Sequence, residues 1–502
     1  ALLAALALLY LYLAWVTSGQ PDLWILTTID GAQLFTIDDA YRYFLARSAW
    51  HDLQLYHWNY VLPVALLADG ILASLSNGSL FGMRALHIPG AVATLWFTWQ
   101  SGLLLGIGRR WLLLAVVLLG LMPVYVFVFL SFYGESWLAL ALMAGVWCLL
   151  GGRVRAAALC FALLPLIRPE GIYFVVPLGL YWMYQRRWLA WLLLGAPGFF
   201  YGLYLLAQLE TPAHYTEWRL ALMAILHQGD HPALYQAAGF LSTFNPLWTL
   251  PALLAIVLPA LRRLLPVYAG MLIYMAVLLS LVLAQQALHE ARYYVSILPL
   301  LALSFAAGCD FLAQRLPAYR REVSAALVLL TLLITAEHFL QMDPWKHAAG
   351  NQRWPLAGLP SGTEYFPALS QQANGRRRDI ATSVEALVQH DPRIDRVLIQ
   401  NTEIFYHLNP AIVDKVPVSY VPTSELVAAE RANGLFYAMH SDGKHYAFYR
   451  FRRAQYDDRR VAVYVGRLSG MALTPVFSAG VFAVYLVGYD EVPAPLLQGR
   501  RQ

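Results

Sequence analysis

Apolar residues in this chain come in long unbroken runs, unlike the alternation of a half-buried strand or the single stripe of a soluble helix. A helix needs roughly 20 mostly apolar residues to cross a bilayer, and such runs recur from the first residue to about residue 338. Backbone polar groups cannot go unpaired in lipid, so the runs must be helices or strands of a closed barrel. Barrel strands alternate polar and apolar positions. Trp111 to Leu130 is a continuous apolar run that does not, and it reads as helical. Ala1 to Trp15 reads as the first span. It opens without Met, which leaves room for a short basic lead ahead of it. No small-residue cleavage site followed by a soluble sequence marks it as a signal peptide.

One stretch departs from the pattern. Residues 156 to 185 lie between basic clusters and are interrupted by Arg168-Pro169-Glu170-Gly171. Two helices of normal length do not fit there, so the spacing predicts short helices meeting at a polar break. Irregular backbone at membrane depth survives only where protein or a water-filled cavity shelters it. That places Arg168 and Glu170 beside such a cavity.

Beyond residue 339 the pattern changes again. Residues 339 to 380 are rich in Pro, Gly, Asn and Arg and read as loop. Thr382-Ser383-Val384-Glu385 has the form of a capping box opening a short helix. Arg396 to Ile399, Leu435 to Met439, His445 to Phe451, Val461 to Val465 and Val481 to Tyr489 read as strands, and Thr423 to Ala432 as a second helix. The expected fold is a polytopic α-helical membrane protein with about 10–12 spans over residues 1–338, followed by an extracytoplasmic α/β domain over residues 339–502. That domain has no phosphate-cradling glycine loop and no nucleophile elbow, which suits a structural or acceptor-docking module.

Composition agrees with this reading: 59% of the 502 residues are hydrophobic and 13% charged, where soluble domains are about a quarter charged. The net charge of +5 comes without a basic stripe interleaved with aromatics, so nucleic acid is excluded as a partner. Cys148, Cys160 and Cys309 all fall in apolar runs, without zinc spacing or a disulfide framework, and read as buried thiols. The basic residues are nearly all Arg. Arg109-Arg110, Arg153 with Arg155, Arg186-Arg187, Arg262-Arg263, and Arg315 with Arg320-Arg321 mark the cytoplasmic face. The opposite face then holds a first large loop at residues 18–59, residues 131–135, 168–171, 209–246 and 285–292, and the C-terminal domain, delivered by a last span at about 322–338. A parity problem follows. Residues 60–76 and 85–107 look like two spans, yet an odd number of crossings must join the outer loop to Arg109. Either one of the two is re-entrant or Arg109-Arg110 breaks the charge rule.

Candidate chemistry gathers on the outer face. Thr36 to Arg47 can form an amphipathic helix in the interface, with Asp38 and Asp39 at its start, where helix amides favour anions, and Arg42 one turn on. An Asp at a helix start is also a common cap. A carboxylate here can deprotonate an acceptor hydroxyl, and two can hold a divalent cation such as Mg or Mn. Glu135 sits at the outer end of a helix, where its bland role is to face water. Arg168 and Glu170 can pair with each other. His289, Glu290, Arg292 and Tyr293 precede an apolar run with Pro299. Arg292 suits phosphate oxygens, although Arg, His and Tyr are also ordinary interfacial anchors.

These residues in this order resemble the polytopic glycosyltransferases of the GT-C superfold. The resemblance rests on Asp38-Asp39 ahead of an amphipathic helix, and on Met83-Arg84-Ala85-Leu86-His87-Ile88-Pro89, which is similar to an Arg-Leu-Pro-Ser element of bacterial members. It rests also on the acid-bearing turn Tyr133 to Glu135 with Arg168 to Gly171, and on His289 to Tyr293 before a late helix. It covers residues 1–338 as a layout. It implies transfer of a sugar from a polyprenyl-phosphate carrier, at the outer bilayer surface, to a glycan, lipid or protein acceptor. Asp38, Asp39 and Glu135 would be the catalytic acids, with Asp38 or Asp39 as base. Arg42, Arg168, Glu170, His289, Glu290, Arg292 and Tyr293 would line the substrate and lipid-phosphate site. The Arg-, Ala- and Leu-rich composition suits a GC-rich bacterium, and with it the resemblance implies an inner-membrane protein with a periplasmic C-terminal domain. The rival is a transporter or lipid flippase, which would show two related halves; none is visible in residues 1–338. A third reading is a non-catalytic assembly or receptor subunit.

Overall fold

The computed structural model describes residues 1–17, 25–27, 33–35, 42–43, 45–47, 49, 62–208, 246–283, 291–316, 320–341, 363–364, 367–399, 404, 407–409, 412, 415–416, 418–420, 435–439, 446–456, 458–466, 474–479 and 482–492. The first helix, α1, is Leu2–Val16, and two short strands follow, β1 (Ile25–Thr27) and β2 (Gln33–Phe35). The helices α2 (Pro63–Leu75), α3 (Leu80–Leu104), α4 (Arg109–Gly120), α5 (Pro123–Leu130), α6 (Gly134–Leu150), α7 (Val154–Ile167), α8 (Ile172–Tyr184) and α9 (Trp188–Gln208) come next. After residue 245 come α10 (Pro246–Ala255), α11 (Leu265–Leu283), α12 (Leu298–Arg315) and α13 (Arg320–Gln341).

Trp111 to Leu130 is not one helix. Met122 is extended (φ −74°, ψ 122°) ahead of Pro123, because the proline ring disfavours helical backbone in the residue before it. The two segments meet at 59°. The break between α7 and α8 does follow the sequence. Arg168, ahead of Pro169, is extended (φ −150°, ψ 143°), and a single 3-10 turn, Pro169–Gly171, reverses the chain. A Cβ on Gly171 would lie 2.2 Å from the backbone carbon of Leu164, so only glycine lets the second helix start so close to the first.

The parity problem turns on α2. Its 13 residues reach about 20 Å, short of the roughly 30 Å hydrocarbon core. The Asn77-Gly78 turn that ends it lies against the first loop: Tyr43 donates from its hydroxyl to the Gly78 carbonyl, and a Cβ on Gly78 would stand 2.8 Å from Arg47 Nε. The α2–α3 turn therefore sits beside the first loop. Only α3, with 25 residues, runs on to the other end, where Asp310 of α12 accepts from the Gly108 amide at 3.3 Å.

Among the described residues, Pro259–Leu281 is long and apolar enough by itself to cross a membrane, and the bent α4–α5 pair meets the test jointly. Other apolar helices, α6 and α7 included, are 10–17 residues long. Several of the helices carry an internal proline, at Pro89, Pro165, Pro177, Pro197 and Pro251. Phe199, Phe200, Leu254 and Val257 are each more than 60% exposed, an apolar surface of the kind lipid covers.

The C-terminal part begins with β3 (Thr363–Glu364), which joins β1 of the first loop, Ile25 opposite Glu364. Helix α14 (Pro367–His390) takes the place of the last part of the expected loop, and Thr382 to Glu385 sits inside it rather than capping a new helix. The sheet contains β4 (Ile394–Ile399), β5 (Val418–Tyr420), β6 (Leu435–Met439), β7 (Tyr446–Arg453), β8 (Val461–Gly466), β9 (Phe477–Ala479) and β10 (Phe482–Val492), in the order β7-β6-β5-β4-β8-β10-β9. A further β7–β10 pairing, Val487 opposite Arg453, curls it onto itself. Strand β4 is parallel to both β5 and β8, and β8 is buried along its whole length. The expected helix at Thr423 to Ala432 lies outside the described residues.

Candidate active site

Several chain breaks deliver polar side chains to one end of the bundle. Glu135 lies in the first turn of α6, where unpaired amides favour an anion. Arg168 occupies the extended position that Pro169 imposes, and Glu170 follows in the 3-10 turn. Arg292 belongs to a second 3-10 turn, Ala291–Tyr294, ahead of α12. That turn is pinned from α11 by Tyr274, whose hydroxyl donates to the Tyr293 carbonyl. Arg42 arrives from the first loop.

Arg168 is the hub. Its Nε and Nη2 donate to the two Glu170 oxygens at 3.0 and 2.7 Å, the fork geometry of a strong guanidinium–carboxylate pair. Its Nη1 stands 2.6 Å from Glu135 Oε1, a charge contact outside hydrogen-bond alignment. Arg292 Nε lies 4.0 Å from the same Glu135 oxygen. Glu135 is fully buried at 0% exposure. The Tyr133 ring carries two guanidiniums, Arg292 at 4.4 Å and Arg42 at 5.1 Å from its centroid, and Tyr293 takes Arg292 at 5.3 Å and Arg168 at 5.7 Å. Gly134 shows how tightly these meet: a Cβ there would fall 3.3 Å from Arg168 Cγ and 3.6 Å from Arg42 Nη1.

Three guanidiniums against two carboxylates leave this cluster positively charged among the described residues, and the Tyr133 face helps hold two of the guanidiniums in place. Glu135 stands between the Arg168 and Arg292 guanidiniums. An anion with several oxygens is the ligand such a cluster attracts.

Of the residues expected at the site, Arg42, Glu135, Arg168, Glu170, Arg292 and Tyr293 come together. Asp38, Asp39, His289 and Glu290 lie outside the described residues. Among the described residues, no group of three or more His, Cys, Asp or Glu could hold a metal ion; Asp38 and Asp39 stand apart from that finding. Tyr133 and Tyr274 were not singled out from the sequence, because aromatics at the ends of apolar runs are common interfacial anchors. Arg84, expected to belong to a family element, is fully buried and donates to the carbonyls of Leu130 and Thr17.

No protein-family model matches the sequence, and no curated protein matches it. Among solved structures, the chain is similar to ArnT from Cupriavidus metallidurans bound to undecaprenyl phosphate, at 12% identity, with 97% of each chain covered and a TM-score of 0.50. The chain has the GT-C fold. It is also similar to the arabinofuranosyltransferase AftD from Mycobacteria, at 15% identity, covering 97% of this chain and 39% of that one, with a TM-score of 0.47. The GT-C likeness to ArnT runs through the whole chain, helices and terminal sheet alike.

Proposed function

We propose that this chain is a membrane glycosyltransferase that moves a sugar from a polyprenyl-phosphate carrier to a glycan, lipid or protein acceptor on the extracytoplasmic side of a bacterial inner membrane. Residues 1–338 form the catalytic part and residues 339–502 the extracytoplasmic domain. The observation that carries the reading is the clamp on Glu135, which holds Arg168 at 2.6 Å and Arg292 at 4.0 Å beside Arg42 at one end of the bundle.

In this reading Arg292 and Arg42 meet the carrier's phosphate, and Arg168, tied to both glutamates, keeps the cluster in register. Asp38 or Asp39, four and three positions ahead of Arg42, takes the proton from the acceptor hydroxyl. The hydroxyl oxygen bonds to the anomeric carbon as the bond from that carbon to the phosphate oxygen breaks. Polyprenyl phosphate leaves with the electron pair, and the anomeric centre inverts. Fixed guanidiniums stabilise the charge that builds on the departing phosphate. The same two aspartates would hold a divalent cation if one takes part, lending its charge to the leaving group.

The test supplies radiolabelled polyprenyl-phosphate sugars to the purified chain and compares wild type with Asp38→Asn and Asp39→Asn. Loss of labelled glycoside in one of the two variants supports the reading. Equal transfer in all three removes the base assignment, and movement of the lipid between leaflets without a glycosidic product replaces the enzyme with a transporter.

A further inference from the structure

The α2–α3 hairpin grips the turn that carries Glu135 at three places outside the arginine cluster. Arg84 of α3 donates from Nε to the Leu130 carbonyl at 3.0 Å. His87 of α3 sets its ring edge-on to Phe132 at 5.5 Å and against Trp137 at 5.1 Å. Asp69 of α2 accepts a 2.7 Å hydrogen bond from Trp137 Nε1, and the same carboxylate oxygen stands 3.3 Å from His87 Nε2. Leu130 and Phe132 precede Glu135 in the chain and Trp137 follows it, so the grip falls on both sides.

Asp69 and His87 are each 2% exposed and lie inside apolar helices. Ionisable groups in such places are costly and are retained for a purpose. The hairpin's far turn, moreover, is held by Tyr43, the neighbour of Arg42. The hairpin thus connects the segment bearing one arginine to the turn bearing the glutamate that holds the other two.

We infer that Asp69 is a positioning residue. Through the Trp137 indole and the His87 ring it fixes the α5–α6 turn, so that Glu135 keeps its place between Arg168 and Arg292. The consequence for ligand binding rests on the proposed phosphate site; the brace itself does not.

The test uses the full chain in detergent, labelled with 5-fluorotryptophan, with the Trp137 fluorine resonance identified by Trp137→Phe. Undecaprenyl phosphate is the binding probe. Asp69→Leu is expected to shift the Trp137 resonance and weaken binding about tenfold, the scale of one hydrogen bond to a charged acceptor. Asp69→Asn retains an acceptor oxygen and is expected to lose less than about threefold. On a Glu135→Gln background, Asp69→Leu should add less than about twofold, because the two groups act through one another. Equal losses on both backgrounds, or a Trp137 resonance that ignores Asp69→Leu, would overturn the inference. If Asp69→Leu gives no folded protein, the same cycle run with Trp137→Phe and Asp69→Asn decides by the same non-additivity. A wild-type chain that binds no undecaprenyl phosphate, while its Trp137 resonance still answers to Asp69→Leu, would refute the functional reading and leave the brace standing.

Discussion

The molecule uses one local device twice. At the end of α7 the chain reads Arg168-Pro169-Glu170, and just beyond α14 it reads Asp391-Pro392-Arg393. In both, opposite charges flank a proline and pair through a guanidinium fork, at 3.0 and 2.7 Å in the first and 2.9 and 2.7 Å in the second. The local chemistry is the same, and the surroundings are not. Arg168 also meets the fully buried Glu135 and faces Tyr293. Arg393 donates to the carbonyls of Gln455 and Tyr456 beside Tyr456, which is 95% exposed. A charged pair tied to a buried third charge can organise a binding site. The same pair at a surface turn fastens a loop.

Removing the buried third partner should separate the two devices most clearly. Glu135→Ala leaves Arg168 and Arg292 beside each other without the acid between them. Breaking a buried ion pair from one side typically costs about 3–5 kcal/mol. The expected outcome is a large drop in the midpoint of thermal unfolding and loss of undecaprenyl-phosphate binding. A variant as stable as wild type would show that the cluster is solvated, and the contrast with Asp391–Arg393 would fall.

The C-terminal part has its own buried ionisable group, so burial there can be tested without the arginine cluster. His407 is held well below the ordinary histidine range, at about 4, first by burial and then by Arg378 and Arg377. The folded state therefore prefers the neutral ring. The stability this contributes is complete above the unfolded value near 6.5 and is lost as pH falls toward 4. On the order of 3 kcal/mol is at stake across that window. Hydrogen exchange of β4 and β8 should quicken between pH 6.5 and 4 in wild type, and His407→Gln should flatten that dependence. An unchanged profile would mean that the ring is solvated.

Both devices could be seen in the sequence as motifs, but their difference could not. Arg168-Pro169-Glu170 announced a helix break because proline acts on the residue before it, and the break came where expected. Pro123 carried the same signal inside Trp111 to Leu130 and was outweighed by the unbroken hydropathy there. The strands Leu435–Met439 and Val461–Gly466 could be read from β-branched and aromatic runs. Val418–Tyr420 and Phe477–Ala479, three residues each, were too short to show periodicity. The convergence of Arg42, Glu135, Arg168 and Arg292 could be listed by sidedness alone. Its centre, the Tyr133 ring, could not, since no local pattern tells a packed tyrosine from an interfacial one. Asp69 and His87 were signalled by lone ionisable residues in apolar runs, a cue that the span count concealed.

The close turn that presents Arg168 supplies a smaller test. Gly171→Ala would place a Cβ 2.2 Å from the Leu164 backbone. Backbone cannot yield as a side-chain tip does, and overpacking of this kind costs roughly 1–3 kcal/mol. The expected result is a moderate fall in the unfolding midpoint together with weaker undecaprenyl-phosphate binding, because Arg168 moves with the turn. Loss of stability with binding intact would detach the turn from the site.

The surface device should respond least. Arg393 holds the Asp391 carboxyl below the usual carboxylate range, chiefly by hydrogen bonding. A depressed carboxyl contributes stability above its unfolded value, near 3.9, and loses it as pH falls through the folded value. The Asp391 and Arg393 side chains are 18% and 33% exposed, so solvent screens the pair and its contribution is small. Asp391→Asn should therefore lower the unfolding midpoint slightly at pH 7 and leave undecaprenyl-phosphate binding unchanged. Once pH has fallen through the folded value, below the usual carboxylate range, it should become indistinguishable from wild type, since protonation has then removed the same charge. A loss at pH 7 as large as that of Glu135→Ala would mean that the charge–proline–charge turn itself, and not the buried third partner, sets the strength of both networks.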